Sequence, residues 1–245
     1  MHLGALLPAD RIQAYFASIA RRYDLANHLL SGGMDIFWRG RVARTVRGWE
    51  PRDILDLATG TGDLALALQR ACPRSSVTAA DFCQPMLELA ARKGVRQTVL
   101  ADALDLPFED RSFDVVTVAF GLRNMTAYRT ALHEIARVLR PGGRLLVLDF
   151  STPTGWLRRP YAWYLHRVLP HLAHLVTGRR DAYEYLGASI AAFPHGEELC
   201  GIMRECGFEE ASGMPMHGGI VTLYCGRAVS EQRPTSNVQR PTSKA

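Results

Sequence analysis

The apolar positions along the chain change their period near residue 50. Before it, Ile12, Phe16, Ile19, Ala20 and Tyr23 recur at helical spacing, and Asp10 with Gln13 resembles a capping box. Ser31-Gly32-Gly33 breaks that helix, and a second is expected through Trp38 to Val46. From Arg52 the pattern becomes short apolar runs alternating with helical stretches. The runs are Ile54-Leu55-Asp56-Leu57-Ala58, Val77–Ala80, Val99-Leu100, Val115–Phe120 and Leu145–Phe150, and Pro141-Gly142-Gly143 stops a helix over Ala131–Leu139 before the last of them. Apolar strands alternating with helices predict an α/β fold with a mostly parallel sheet covered on both faces. Ligands of such sheets bind beyond the carboxyl ends of the strands. That singles out Ala58–Gly62, Asp81, Ala101–Ala103 and Ala119–Asn124.

A helix-rich stretch follows from Trp156 to Phe193, and then two strands, Phe208–Met214 and Ile220–Gly226, close enough to pair as an antiparallel hairpin. The end of the chain repeats itself in Gln232–Ser236 and Gln239–Ser243, and has too little to bury to fold. The expected organisation is N-terminal helices covering the site over 1–50, a main domain over 51–228 with a helical substrate insertion at about 154–194, and a disordered tail over 229–245. At 245 residues, 47% hydrophobic and 22% charged, the chain has the composition of one globular domain. No signal peptide is apparent, and no run of about eighteen apolar residues could span a bilayer. The net charge of +5 suits an anionic surface without choosing one. Five cysteines without a CxxC pair or a zinc-spaced histidine cluster imply free thiols in a reducing cytosol and no metal site.

The loop Asp56-Leu57-Ala58-Thr59-Gly60-Thr61-Gly62-Asp63 joins the first strand of the repeat to a helix, and its glycines let backbone amides approach a ligand. Gly60-x-Gly62-x-x-Ala65, with Asp81 downstream, formally satisfies the dinucleotide fingerprint, so a nicotinamide-dependent oxidoreductase is the rival from another class. Charge argues against it. Asp56 and Asp63 bracket the place where a pyrophosphate would sit and would repel it. S-adenosylmethionine carries an ammonium and a sulfonium, which acids suit, while its carboxylate can use the amides at the helix start. Asp81 is placed to hold a ribose, Asp102 to accept an adenine amino group, and small Ala103 to leave room for the ring.

With these residues in view the chain resembles the quinone-biosynthesis C-methyltransferases. The likeness is carried by Asp56–Leu64, by Ala119-Phe120-Gly121-Leu122-Arg123-Asn124 and by Arg137–Leu145 with its Pro-Gly-Gly. Tyr23-Asp24 with Asn27, Phe150-Ser151-x-Pro153, Tyr185-Leu186 with Ser189-Ile190, Phe193-Pro194 and Gly218-Gly219-Ile220 extend it. The resemblance implies a Rossmann-like class I S-adenosylmethionine-dependent methyltransferase, seven-stranded and mostly parallel with an antiparallel last strand. It carries cofactor contacts to Thr61, Asp81, Asp102 and Ala103, alongside Asp56, Gly60 and Gly62 from the loop. Ala119 departs from the pattern, since ubiquinone-type members often have Ser there.

The implied reaction is C-methylation of a prenylated quinol, with demethylmenaquinol ahead of the benzoquinol precursor of ubiquinone. A ring carbon becomes nucleophilic when the adjacent hydroxyl loses its proton, so the protein must align the reactants and stabilise a phenolate. Arg123 and Asn124 are the expected catalytic pair, with a salt bridge holding the loop as the plain alternative for Arg123. Tyr23, Tyr183, Tyr185 and His217 are the expected substrate contacts. Tyr183, Tyr185, His217, Asp149 or a water paired with Arg123 could take the proton. The arginines and aromatics of Trp156–Arg180 suit a prenyl groove lying at a membrane interface. The implied setting is cytoplasmic, with transient contact to the inner face of the cytoplasmic membrane, no nucleic acid, and a homodimer left open. A methyltransferase fold used only for binding is the remaining class.

Overall fold

The computed structural model describes residues 31–153, 155–164, 167, 187 and 189–230. The helix expected over Ile12–Tyr23, most of the helical insertion and the repeat-bearing tail lie outside these residues.

Helix α1 (Met34–Arg47) follows the Ser31-Gly32-Gly33 turn and buries Trp38, Val42, Ala43 and Val46 at helical spacing. The alternating repeat then runs β1 (Asp53–Leu57), α2 (Asp63–Ala71), β2 (Ser76–Asp81), α3 (Gln84–Arg92), β3 (Gln97–Leu100), β4 (Phe113–Ala119), α4 (Tyr128–Val138) and β5 (Leu139–Phe150). A short 3-10 turn and α5 (Arg158–Trp163) come next, followed by α6 (Glu197–Glu205), β6 (Phe208–Met216) and β7 (Val221–Ala228). The sheet has seven strands in the order β3-β2-β1-β4-β5-β7-β6. The first five strands are parallel, and β7 runs antiparallel to both β5 and β6. The last two strands pair as the expected hairpin.

The period of two along each strand divides the core between the two faces. Leu55, Leu57, Val116 and Val118 pack with Leu132, Ile135 and Leu199 from α4 and α6. Ile54, Val77, Val115 and Leu146 pack on the other face with Trp38, Val42, Leu64 and Leu68 from α1 and α2. Each fully buried aliphatic side chain contributes about 1.5–3 kcal/mol, so both layers are needed. Helix α1 therefore belongs to the packed core of the sheet as well as lying beside its ligand-facing end.

One boundary differs from the sequence expectation. Leu139 already pairs with Phe113, and the ladder resumes at Arg144 opposite Val115, so residues 140–143 bulge against Asp114. The Pro-Gly-Gly motif is thus a bulge inside a longer strand. A side chain at Gly143 would lie 2.8 Å from the Arg140 carbonyl. Arg140 ties the bulge down through ion pairs to Asp114 at 2.6 Å and Asp53 at 2.8 Å. All five cysteines are free thiols.

Candidate active site

The strands β1 and β4 end side by side, and both chains turn sharply there. Ala58 and Phe120 adopt left-handed backbone angles (φ 54° and 60°), an arrangement that costs free energy and concentrates at functional sites. A side chain at Gly121 would stand 2.6 Å from the Ala58 Cβ, so the two turns touch. Past Ala58, the Thr59 amide donates to the Ala80 carbonyl and the Gly60 amide to Asp81 Oδ2, at 3.0 and 2.8 Å. Gly62, expected to face the ligand, instead caps α2 with φ 84°, and its missing side chain lets it pack on Ala90 and Val95.

Two recesses open on this junction. The polar one is lined by Arg39, Asp56, Thr59, Gly60, Thr61 and Asp63, among others. Asp56 is almost fully buried, and its carboxylate accepts from the Thr59 and Thr117 hydroxyls at 2.6 and 2.7 Å. Burial pushes its carboxyl up to about 6, against the lowering effect of those hydroxyls and of the positive charge of Arg39. Asp63 stands in the first turn of α2, where it favours the helix dipole and pairs with Lys93 at 2.7 Å. Lys93 also donates to the Thr61 hydroxyl at 3.0 Å.

The second recess is mostly apolar and open to solvent. Gly60, Asp81, Asp102, Ala103, Met86 and Leu104 line the part beyond β2 and β3. Asp81 accepts the Gly60 and Cys83 amides through separate oxygens, at 2.8 and 2.9 Å, and burial raises its carboxyl above the ordinary range. The Phe82 amide also bonds this carboxylate, and with room for about four hydrogen bonds the group retains capacity for a ligand hydroxyl. Asp102 is exposed and accepts the Leu104 amide at 2.9 Å. Together the recesses suit a ligand with opposite charges at one end, a diol in the middle and a flat apolar ring at the other.

Asn124 lines the same large cleft beyond β4, with its amide donating to the Phe120 carbonyl at 3.3 Å. Arg123 does not line it. Its Nη1 donates to the Phe120 carbonyl at 2.5 Å and pairs with Asp149 at 2.7 Å, both side chains being buried. A buried guanidinium needs a carboxylate partner, and that requirement draws Arg123 beneath the turn rather than into the cleft. Among the described residues its buried Nε has no hydrogen-bond partner, and its guanidinium carbon lies 5.2 Å from the centre of the Phe150 ring. His217 lies outside both recesses as well. Its Nδ1 accepts the Trp38 indole N–H at 2.8 Å, and its ring sits edge-on to Phe37 and Trp38. Tyr23, Tyr183 and Tyr185 lie outside the described residues. Asp56, Gly60, Thr61, Asp81, Asp102, Ala103 and Asn124 are brought together.

Sequence reasoning missed Arg39, Met86 and Leu104. Arg39 lies four residues after Asp35, a spacing that became a signal only once the helix was seen to start at Met34. Among the described residues, no group of three or more His, Cys, Asp or Glu side chains is gathered to hold a metal, and no helix is long and apolar enough to cross a membrane.

The chain is similar to known proteins. The chain is 50% identical over 217 residues to the demethylmenaquinone methyltransferase of Thermus thermophilus, covering 86% of this chain and 98% of that one. It is 42% identical over 227 residues to the ubiquinone/menaquinone biosynthesis C-methyltransferase UbiE of Stutzerimonas stutzeri, covering 89% of each. A solved SAM-dependent methyltransferase of Thermotoga maritima shares the fold with a TM-score of 0.61 at 22% identity, covering 86% of this chain and 97% of that one. Residues 6–228 match the ubiE/COQ5 methyltransferase family, and the chain belongs to it.

Proposed function

We propose that this chain transfers the methyl group of S-adenosylmethionine to a ring carbon of a prenylated quinol, converting demethylmenaquinol to menaquinol. The donor set of the cleft fits that cofactor along its length. Asp56 meets the ammonium, Asp81 accepts the ribose hydroxyls, Asp102 accepts the adenine amino group, and Ala103 leaves space for the ring. When bound, the cofactor supplies an electrophilic methyl group on a sulfonium.

The chain's own residues prepare the acceptor. Asn124 holds the oxygen next to the reacting carbon by hydrogen bonding. Arg123 fixes the Phe120–Asn124 turn from below, through its bonds to the Phe120 carbonyl and to Asp149, and so holds Asn124 in place. The observation that carries this reading is the continuity of the cleft: Asn124, Met125 and Thr126 line the same cavity as Asp81, Asp102 and Ala103. Acceptor and cofactor thus share one apolar chamber, where alignment and weak solvation both assist alkylation of carbon.

The prenyl tail accounts for the exposed aromatics after β5. Trp156 and Trp163 are 81% and 64% exposed, beside exposed Arg158, Arg159 and Arg167. This edge rests on the anionic inner face of the cytoplasmic membrane, from which a cytoplasmic enzyme can take its substrate. Vesicles containing phosphatidylglycerol should bind the chain, and the double substitution Trp156→Ala/Trp163→Ala should release it. Equal binding to neutral vesicles would remove the electrostatic part of this reading.

The deciding experiment is methyl transfer from labelled S-adenosylmethionine to reduced short-chain demethylmenaquinone, run beside the benzoquinol precursor of ubiquinone. A ring-methylated naphthoquinol is expected. The name of the 42% identical relative favours testing both acceptors, and product from both would establish dual use. Cofactor binding with neither acceptor methylated would overturn the quinol assignment.

A further inference from the structure

Among the described residues, Arg39 is the cation that lines the polar end of the cleft. Arg39 projects from the middle of α1, a helix outside the strand–helix repeat, and its side chain is 12% exposed. It lines the recess together with Asp56, Thr59, Gly60 and Thr61. Its Nη1 pairs with Asp35 one helical turn earlier and lies 3.9 Å from Asp63 Oδ2. The guanidinium carbon is 5.7 Å from the centre of the Phe120 ring, at the turn where β4 ends. The side chain is therefore held in place from two sides before any ligand arrives.

We propose that Arg39 receives the α-carboxylate of S-adenosylmethionine and so ties helix α1 to the bound cofactor. The inference rests on the cofactor assignment made above. Two carboxylates, Asp56 and Asp63, line this end of the cleft, so an incoming carboxylate is repelled unless a cation meets it. Three of the loop amides are already engaged. Thr59 N donates to the Ala80 carbonyl, Gly60 N to Asp81, and Gly62 N to the Thr59 carbonyl. Lys93 is committed to Asp63 and the Thr61 hydroxyl and does not line the recess. Both ion-pair contacts of Arg39 run through Nη1, which leaves the Nε–Nη2 edge of its fork for a second carboxylate. Arg39 and Asp56 thus form opposite halves of a clamp for the zwitterionic end, one taking the carboxylate and the other the ammonium.

Calorimetric binding of S-adenosylmethionine and of its decarboxylated analogue tests this, because the analogue keeps the sulfonium, the amine and the nucleoside. The wild type should prefer S-adenosylmethionine. Arg39→Ala should weaken that ligand about tenfold or more while changing the analogue by less than about threefold, with Arg39→Lys recovering part of the loss. If Arg39→Ala fails to fold, Arg39→Gln and Arg39→Lys carry the same comparison. Equal losses with both ligands would overturn the proposal and leave Arg39 a structural partner of Asp35. A wild type that binds neither ligand would overturn the cofactor assignment itself, and the inference with it.

Discussion

Two aspartates at the ligand-facing end of the sheet, Asp56 on β1 and Asp149 on β5, are equally buried and differently met. Asp149 has a cation of its own, the Arg123 guanidinium at 2.7 Å, and accepts the Phe150 amide at 2.9 Å. Asp56 has only neutral donors, the hydroxyls of Thr59 and Thr117, while Arg39 acts on it at a distance. The difference separates structure from binding. A carboxylate neutralised inside the protein holds a loop; one left without a bonded cation keeps its field for a ligand. That division explains why burial raises the Asp56 carboxyl to about 6.

The largest effect should come from breaking the paired side. Arg123→Ala leaves Asp149 buried without its cation, and should cost about 3–5 kcal/mol in denaturant unfolding. The double substitution Arg123→Met/Asp149→Leu should recover much of that loss, because no buried charge remains. Additive losses would show that the two residues are not coupled.

Asp56→Asn should shift stability in the opposite direction. A carboxyl raised from 3.8 to about 6 by folding contributes stability below the lower value, and that contribution is lost as pH rises through the upper one. The variant should therefore match the wild type near pH 4 and exceed it above pH 6.5, by up to about 3 kcal/mol. The same variant should bind S-adenosylmethionine about tenfold more weakly. A variant less stable than the wild type at pH 7.5 would mean that the hydroxyls fully compensate the buried charge.

Two smaller effects sharpen the picture at the apolar end. Asp81→Ala removes both the ribose acceptor and the partner of the Gly60 amide, and should weaken cofactor binding about tenfold by titration calorimetry. Asp102→Ala acts at an exposed position and should cost about threefold or less. A reversal of that order would place the adenine contact above the ribose contact.

How much of this was legible in the sequence follows from the range of each interaction. The strands were readable because both faces of the sheet are buried, so their apolar runs stand out from the helices between them. The start of β5 was not, because its bulge depends on Arg140 reaching Asp53, 87 positions away. The glycine loop, Asp81 and Asp102 were readable as local features following strand ends. One of the two neutral partners of Asp56 was not, since Thr117 lies 61 positions along the chain. Arg123 was expected at the acceptor, and the pull of Asp149 from a neighbouring strand set its place instead. The Ser31-Gly32-Gly33 break placed a helix over Trp38–Val46, but it could not show that Arg39 reaches the glycine loop.

Proton release on cofactor binding tests the contrast between the two carboxylates most directly. Calorimetric titrations at pH 6 in buffers of different ionisation enthalpy count the protons exchanged. If the cofactor's ammonium meets Asp56, the wild type should release about half a proton per molecule bound, and Asp56→Asn should release almost none. Equal proton release by the two proteins, or none by the wild type, would contradict the assignment of Asp56 as the carboxylate that waits for the ligand.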